Sequence, residues 1–496
     1  MIALQTTLCP DLPQVINNID YQNKHALLQR IDDILASGKI DECYIESAVT
    51  RWLEQRDSKS KPRAQDYIQY AKTSQWGFRA MLLKSLLGYS YRELSVQLAQ
   101  CPLYRWFCRM EVFGPIKSPG KSSLQDWALR LPIESMQNII DQITAQSLEP
   151  GNPLELKNRI ELETVWMDTT CLKANIHHPV DWLLLRDGTR TLIKAIKLIR
   201  KHGLKHRMQD PDSFLTSINH LCMAMTHQGR IKDGKKKRKT TFRKMKRLCK
   251  KVENHARRHR DMLEDRWKQT DWTQGQAKEV IRRIDGILKQ LPEAIQQANE
   301  RIIGERQVDS KDKILSLYDN DVNVIVRGKA GAQTEFGNKL ILSENSQGLI
   351  LDWKLYKDGA PNDERLLEPS LDRMEERFGQ EAIKCVVGDR GFDSAANEKV
   401  IASRSMINGL TSKNPLKMKV RTLSAFYVRI QKRRAQTEAR IAILTNDFAG
   451  TPMRSKGFKR REVEMSWHIL SHNLWVLARM EKSEKIPQPM LRETAA

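Results

Sequence analysis

Three acidic residues far apart in this chain sit where carboxylates can do chemistry. Asp168 closes the run "ETVWMDTT", Glu163 to Thr170, which is apolar and β-rich until it ends on the carboxylate. Asp389 stands in the same way in "IKCVVGDRGFDS", Ile383 to Ser394. One such aspartate would mean little, but two strands that each deliver an acid at their end bring a carboxylate pair to the edge of a sheet. A pair of this kind needs a third partner to hold a metal, since Mg2+ takes oxygen ligands and is bound through one or two carboxylates together with water and substrate phosphates. Glu438 can supply it. Gln431, Arg434, Glu438 and Thr445 are spaced by three, four and seven residues and so lie along one helical face. Ala435, Ala439 and Ala442 form a small-residue stripe on another side, expected to pack closely on the sheet.

The elements that must position these residues read as an α/β unit with one early interruption. After the strand that carries Asp168, the segment from about Gly188 to Arg306 turns helical and polar. Within it Val280, Ile284, Ile287, Leu288 and Leu291 form a stripe of helical period, and Pro292 is expected to end that helix or to open the next. Strand signals return from "KILSLYDND"; "VNVIVRG", "NKLILS" and "GLILDWKLY" read as a meander with "ENSQG" as a turn. A helix over "NDERLLEPSLDRMEERFG", the strand before Asp389, a helix over "SAANEKVIAS" and a longer one over "FYVRIQKRRAQTEARIAILTNDF" complete the order. Upstream, Phe78, Met81, Leu82, Leu86 and Leu87 keep helical spacing up to Gly88, a left-handed stop. Ser90 with Glu93 makes a capping box, and Ser122 with Gln125 a further helix start. With Arg92, Arg105, Arg109 and Lys121 nearby, these helices fit a DNA-reading domain and a plain helical bundle equally well.

With 84 Lys and Arg against 60 Asp and Glu, a net charge of +24, the chain sets up a positive field that favours polyanions, nucleic acid first. The density is highest in "GRIKDGKKKRKTTFRKMKRLCKK", by default a solvated loop, but dense enough that Lys235, Lys236, Lys237, Arg238 and Lys239 are candidates for phosphate contacts on double-stranded DNA. Its "GRIKDGKK" has the skeleton of a nucleotide-cradling loop, but Lys236 replaces the hydroxyl that would bind Mg2+ and no strand precedes Gly229, so that reading fails. No run of about 18 apolar residues is present to span a bilayer. The start "MIALQTTLCPDLPQ" lacks the pattern of a secretory signal, and the eight cysteines include no C-x-x-C pair. The expected location is the cytoplasm, at the nucleoid when bound to DNA, with no membrane association.

Taken as a set, "VWMDTT" with "KANIHHPVDWLLLRDG", "VVGDRGFDSAANE", "RRAQTEARIAILTNDF" and "HILSHNLWVLAR" resemble the successive motifs of bacterial insertion-sequence transposases of the DDE type. "LLGYSYRELSVQLAQCPLYRWF" resembles their N-terminal helical region and "RGKAGAQTEFGNKLILS" their central strands, so the likeness covers most of the chain and is greatest for the group with a helical insert between the first two acids. The resemblance implies a ribonuclease-H-like mixed sheet flanked by helices. It implies a helical, DNA-binding region 1–155, a catalytic unit of 156–190 with 307–480, a basic helical insertion 191–306 and a flexible tail 481–496. It also implies Asp168, Asp389 and Glu438 as catalytic acids, with Asp168 bridging two Mg2+ ions, Mn2+ a plausible substitute, and the other two acids holding one ion each. Two ions about 3.5–4 Å apart can serve the attacking and leaving oxygens of a phosphodiester in turn, first for cleavage at an element's end and then for attack of the released 3′-hydroxyl on target DNA. A homo-oligomer, dimeric in the synaptic complex, goes with that activity. Many relatives carry a Tyr-Arg-Glu-Lys pattern; this chain keeps Arg434 and Glu438 but has Gln431 and Thr445 at the outer positions.

Around the acids, Arg434 is expected to contact a scissile-strand phosphate, its alternative being an ion pair with Glu438. Arg390 and Gly391 follow Asp389, the glycine letting the backbone turn and the arginine facing DNA. His177 and His178 lack a Cys or a spaced third His and read as loop residues. Asp181 and Asp393 read as turn or cap residues, and Glu462 and Glu464 are reserves for Glu438. The competing functions are a nuclease of the same fold without strand transfer and a transposon-derived DNA-binding protein without catalysis.

Overall fold

The computed structural model describes residue 12 and residues 15–56, 62–110, 116–329 and 332–483. Its strands are β1 (Thr164–Lys173), β2 (Asn323–Lys329), β3 (Ala332–Glu344), β4 (Ile350–Leu355), β5 (Cys385–Gly388) and β6 (Ile407–Leu410). The helices before β1 are α1 (Ile19–Ser37), α2 (Ile40–Glu54), α3 (Ala64–Leu86), α4 (Tyr91–Gln100), α5 (Pro102–Phe107), α6 (Lys121–Ala128) and α7 (Ile133–Leu148). Between β1 and β2 come α8 (Asp181–Lys201), α9 (Pro211–His227), α10 (Gly234–Arg266) and α11 (Gln274–Ile302). The remainder are α12 (Leu367–Phe378), α13 (Ala395–Ser403), α14 (Pro415–Arg421), α15 (Ala425–Ile443) and α16 (Phe458–Ala478).

The strands make one mixed sheet in the order β2-β3-β1-β5-β6. β2 pairs with the first half of β3 and β4 with its second half, both antiparallel, which is the expected meander, closed by a turn at Gly348 (φ +90°). β1 runs antiparallel to β3 and parallel to β5, and β5 parallel to β6. Residues 313–321 form no strand, and β6, only four residues long, gave no alternating signal.

Helices α1–α7 share one hydrophobic core with the sheet and with α16. Tyr44 stacks on Phe78 there with Trp467 tilted against both, and the Trp467 indole N–H donates to the Ala128 carbonyl at 3.0 Å. α3 stops at Gly88 (φ +64°), and the Ser90–Glu93 box opens α4. α6 begins earlier than expected: Gly120 takes the extended N-cap conformation, which leaves Ser122 inside the first turn. The basic surface expected here is also smaller. Arg105 is buried and Arg109 pairs with Asp32 at 2.8 Å, leaving Arg92 and Lys121 exposed. Asp32 also serves the fully buried Arg79, which Asp41 grips from the other side at 3.0 and 3.1 Å. Such a buried cation needs these partners, because leaving it unpaired would be strongly destabilising.

Helices α8–α11 pack around a core of their own, from Leu185 and Leu192 to Ile295 and Ala298. The first helix of this group, α8, begins at Asp181, whereas the insertion is expected from 191. Asp181 is no cap: it is buried and accepts from Gln297 and Arg301, both at 2.9 Å, tying the start of α8 to the end of α11. Pro292 lies inside α11 and neither ends nor starts a helix. The buried stripe continues through it to Ala294, Ile295 and Ala298, so packing outweighs the lost backbone hydrogen bond. The basic run is helical as well, since α10 buries Phe242, Met245, Cys249, Val252 and Ala256 along one side.

At the far end, Lys482 bridges to Leu156 and pairs with Asp33 (3.2 Å) and Glu155 (3.0 Å), so 481–483 are part of the packed structure; 484–496 lie outside the described residues. Among the described residues no helix is long and apolar enough to cross a membrane. The seven described cysteines are free thiols, and Cys9 lies outside the described residues.

Candidate active site

Strand register brings the two aspartates to one place. β5 pairs with β1 only as far as Val387 opposite Trp166, so Asp389, just past the end of β5, stands level with Asp168, two residues beyond Trp166. Both acids line one cleft at this end of the pairing. Each is oriented by a local backbone amide: Thr169 N–H donates to Asp168 Oδ1 at 2.7 Å, and Gly391 N–H donates to Asp389 Oδ1 at 2.8 Å.

Glu438 arrives on α15, whose docking is set by a buried carboxylate on the sheet. Glu344, at the end of β3 and 3% exposed, accepts from Arg433 at 2.7 Å and Thr437 at 2.6 Å and pairs with Arg440 at 3.2 Å. Arg433 also lies over the Trp166 ring, and the Trp166 indole N–H donates to the Ile430 carbonyl at 2.9 Å. A side chain at Gly348 would fall on the Arg440 guanidinium, so the β3–β4 turn closes tightly against the helix. The sheet-facing side is thus Tyr427, Ile430, Arg433 and Thr437, whereas the expected alanine stripe, Ala435, Ala439 and Ala442, is exposed. The buried Glu344 accounts for this, because it requires cations and hydroxyls that alanine cannot offer.

Docked in this way, α15 turns Glu438 into a cleft shared with Asp168 and Asp389 and lined further by Lys339, Asp363, Thr445 and Asn446. Burial pushes the Asp168 carboxyl up to about 6, the charges of Asp389 and Glu438 push it the same way, and the Thr169 amide and Arg434 oppose them. Asp389 and Glu438 therefore both act on Asp168. Glu438 is drawn toward Arg434, which donates to it at 2.9 Å, and among the described residues no three His, Cys, Asp or Glu side chains stand close enough to hold a metal ion. The donor chemistry still fits a hard cation: the acids are all oxygen ligands, and Asp168 is short of positive charge.

The other expected residues divide. Arg390 is exposed in the short 3-10 turn after Asp389. Gly391 is needed for space, not for a turn: its φ is not positive, and a Cβ there would come 2.5 Å from Asp363 Oδ2. Gln431 donates to the Gly409 carbonyl at 2.5 Å and accepts from Thr411 at 3.2 Å, pinning α15 to β6 outside the cleft, whereas Thr445 lines the cleft. His177 and His178 are exposed loop residues, and Asp393 accepts from the Lys413 amide at 2.6 Å. Glu464 pairs with Lys84 at 2.9 Å, and neither it nor Glu462 lines the cleft. In the basic run Lys235, Lys236 and Lys237 are exposed, but Arg238 donates to the Met225 carbonyl at 3.0 Å and lies over Trp182, and Lys239 pairs with Glu305 at 2.8 Å. Sequence reasoning missed Lys339, Glu344 and Asp363. The only trace of them is a charged residue inside an otherwise apolar strand, as in "NKLILS".

Residues 326–474 match the family model of the transposase DDE domain; the match includes Asp389 and Glu438 and leaves out Asp168 and the helical insertion. A curated relative, the uncharacterized protein ORF8 in the nfe locus of Rhizobium meliloti, is 24% identical over 132 residues, which cover 27% of this chain and 58% of that protein. The chain thus spans somewhat over half the length of that relative. No solved structure matches. Residues 326–474 are thus similar to the transposase DDE domain, in line with the insertion-sequence DDE transposases that the motifs of the chain resemble.

Proposed function

We propose that this protein is a transposase that cuts double-stranded DNA at the ends of a mobile element and joins them to target DNA, with Asp168, Asp389 and Glu438 as its catalytic acids. The observation that carries this reading is the convergence of three acids, remote in sequence, on a single cleft. A ribonuclease-H-like fold is supported by a central β1 with an antiparallel neighbour on one side and parallel strands on the other, an acid on β1 and another directly after β5.

Asp168 and Asp389, fixed by backbone amides, form the rigid part of the site. Glu438 is its adjustable part. Arg434 holds Glu438 and also lowers the proton affinity of Asp168, so it faces both carboxylates. A DNA phosphate offers Arg434 a competing anion, which releases Glu438 toward the aspartates. Divalent cations, Mg2+ or Mn2+, held by the three acids would supply activation of the attacking oxygen and neutralisation of the leaving one. The exposed lysines of α10 hold the duplex by its phosphates. Action on a pair of ends implies at least two subunits in the complex, working on DNA in the cytoplasm.

The test is a plasmid assay with Mg2+. Asp168→Ala, Asp389→Ala and Glu438→Gln should each abolish cleavage and joining while DNA binding persists. Cleavage without joined products in the unaltered protein would favour a hydrolytic nuclease, and cleavage surviving in any of the variants would overturn the site assignment.

A further inference from the structure

We infer that Asp363 is a positioning residue that ties together the segments bearing Asp168 and Asp389; the inference rests on the reading of the cleft as a divalent-cation site. Asp363 opens a short 3-10 turn, Asp363–Arg365. Its carboxylate reaches both acid-bearing segments. Oδ1 accepts from the Thr169 hydroxyl at 2.8 Å, and Thr169 in turn donates its amide to Asp168. Oδ2 lies against Gly391: a Cβ on that glycine would be 2.5 Å from it and 2.9 Å from Asp389 Oδ1. The two carboxylates therefore face each other across one glycine, which itself donates its amide to Asp389.

Two anions this close require a counter-charge, and Lys339 supplies it. Its ammonium sits 2.6 Å from Asp363 Oδ1, is also held by the Pro361 carbonyl at 2.6 Å, and is nearly buried. Asp363 is thus neutralised and fixed from three directions. It serves as a strut between the two strand ends, not as a free ligand. Groups that orient ligating carboxylates commonly change metal affinity by roughly 10–100-fold when removed. The same range is expected for Asp363→Ala, which loosens Thr169 and the 389–391 turn together and leaves the Lys339 cation unpaired beside the acids.

The experiment measures Mn2+ binding to the full chain without DNA, by the electron paramagnetic resonance signal of free Mn2+, alongside thermal midpoints and DNA binding in chelator. Asp363→Ala should weaken Mn2+ binding by roughly 10–100-fold with DNA affinity unchanged. Asp363→Asn, which keeps an acceptor for Thr169, should fall between it and the unaltered protein. Thr169→Val removes only the hydroxyl contact and should weaken binding several-fold, which keeps the test open should Asp363→Ala not fold. If folded Asp363→Ala and Thr169→Val bind Mn2+ as the unaltered protein does, the strut is refuted while the cation site stands. If the unaltered protein binds no Mn2+ at millimolar concentration, the cation site fails and the inference fails with it.

Discussion

Replacing Lys235, Lys236 and Lys237 together by Gln tests how the basic helix meets DNA. From Gly234 to Lys251 the chain contains no acid, and cations at the start of a helix oppose its dipole, so α10 carries charge that works against its own stability. A polyanion reverses that cost. Of the five cations from Lys235 to Lys239, Arg238 and Lys239 are engaged inside the protein, which leaves three exposed; Lys235 also feels Glu305. Each phosphate contact contributes about 0.9 to the slope of log affinity against log salt. The triple variant should therefore flatten the slope by about 1.8 if Lys235 is taken up by Glu305 and by about 2.7 if it is not. Between 50 and 200 mM salt the advantage of the unaltered protein should then shrink by roughly 10- to 40-fold. Fluorescence anisotropy with a labelled duplex over that range measures it. An unchanged slope, with the variant folded, would return α10 to the status of a solvated helix. Arg238→Gln with Lys239→Gln should lower thermal stability and leave the slope nearly unaltered.

Three further outcomes follow from the geometry. Asp168→Asn should stabilise the metal-free protein at pH 7 by about 3 kcal/mol while abolishing activity. A carboxyl raised from 3.8 to about 6 penalises the folded state fully above pH 6 and not at all below 3.8, so the gain should vanish in urea titrations at pH 3.5. Glu344→Gln strands Arg433 and Arg440 and should cost about 3–5 kcal/mol by thermal or urea unfolding, with cleavage lost as α15 shifts. Burial pushes His468 down to about 3 and His472 to about 4, the first facing Glu464 and Lys84 and the second Asn473 and Arg440. The unfolded chain takes up these protons below pH 6.5 and the folded one does not, so stability should fall by about 4 kcal/mol from pH 8 to pH 5; His468→Gln with His472→Gln should flatten that decline.

The strand before Asp389 was legible because a fully buried strand writes itself as an apolar run, and there the acid marks its end. At Asp168 the same reading falls short, since β1 runs on to Lys173 and the acid marks a change in burial within the strand. β6 is too short to show a period, and α10 shows why charge alone misleads. A helix that buries one residue in three or four, from Phe242 to Leu263, can keep every other position charged, so its composition reads as a loop while its spacing reads as a helix. Pro292 misleads in the other direction, since a local rule gives way where packing on both sides of the proline is continuous.

The candidate site was legible in its acids and hidden in what holds them. Glu438 shares a helical face with Arg434 and Thr445, which spacing alone reveals. That this face turns to the cleft depends on Glu344, which is ninety-odd residues away at the end of β3, where no period marks it. Asp363 is hidden more deeply. Its role exists only because Thr169, Lys339 and Gly391 come from three segments to meet it, and no window of sequence contains that meeting. Reactive groups are marked by their type and local setting, whereas the groups that fix their angles are marked only by contacts. The acids of the proposed site can therefore be picked out in the sequence, while their placement in the cleft is decided by residues that look ordinary until the chain is folded.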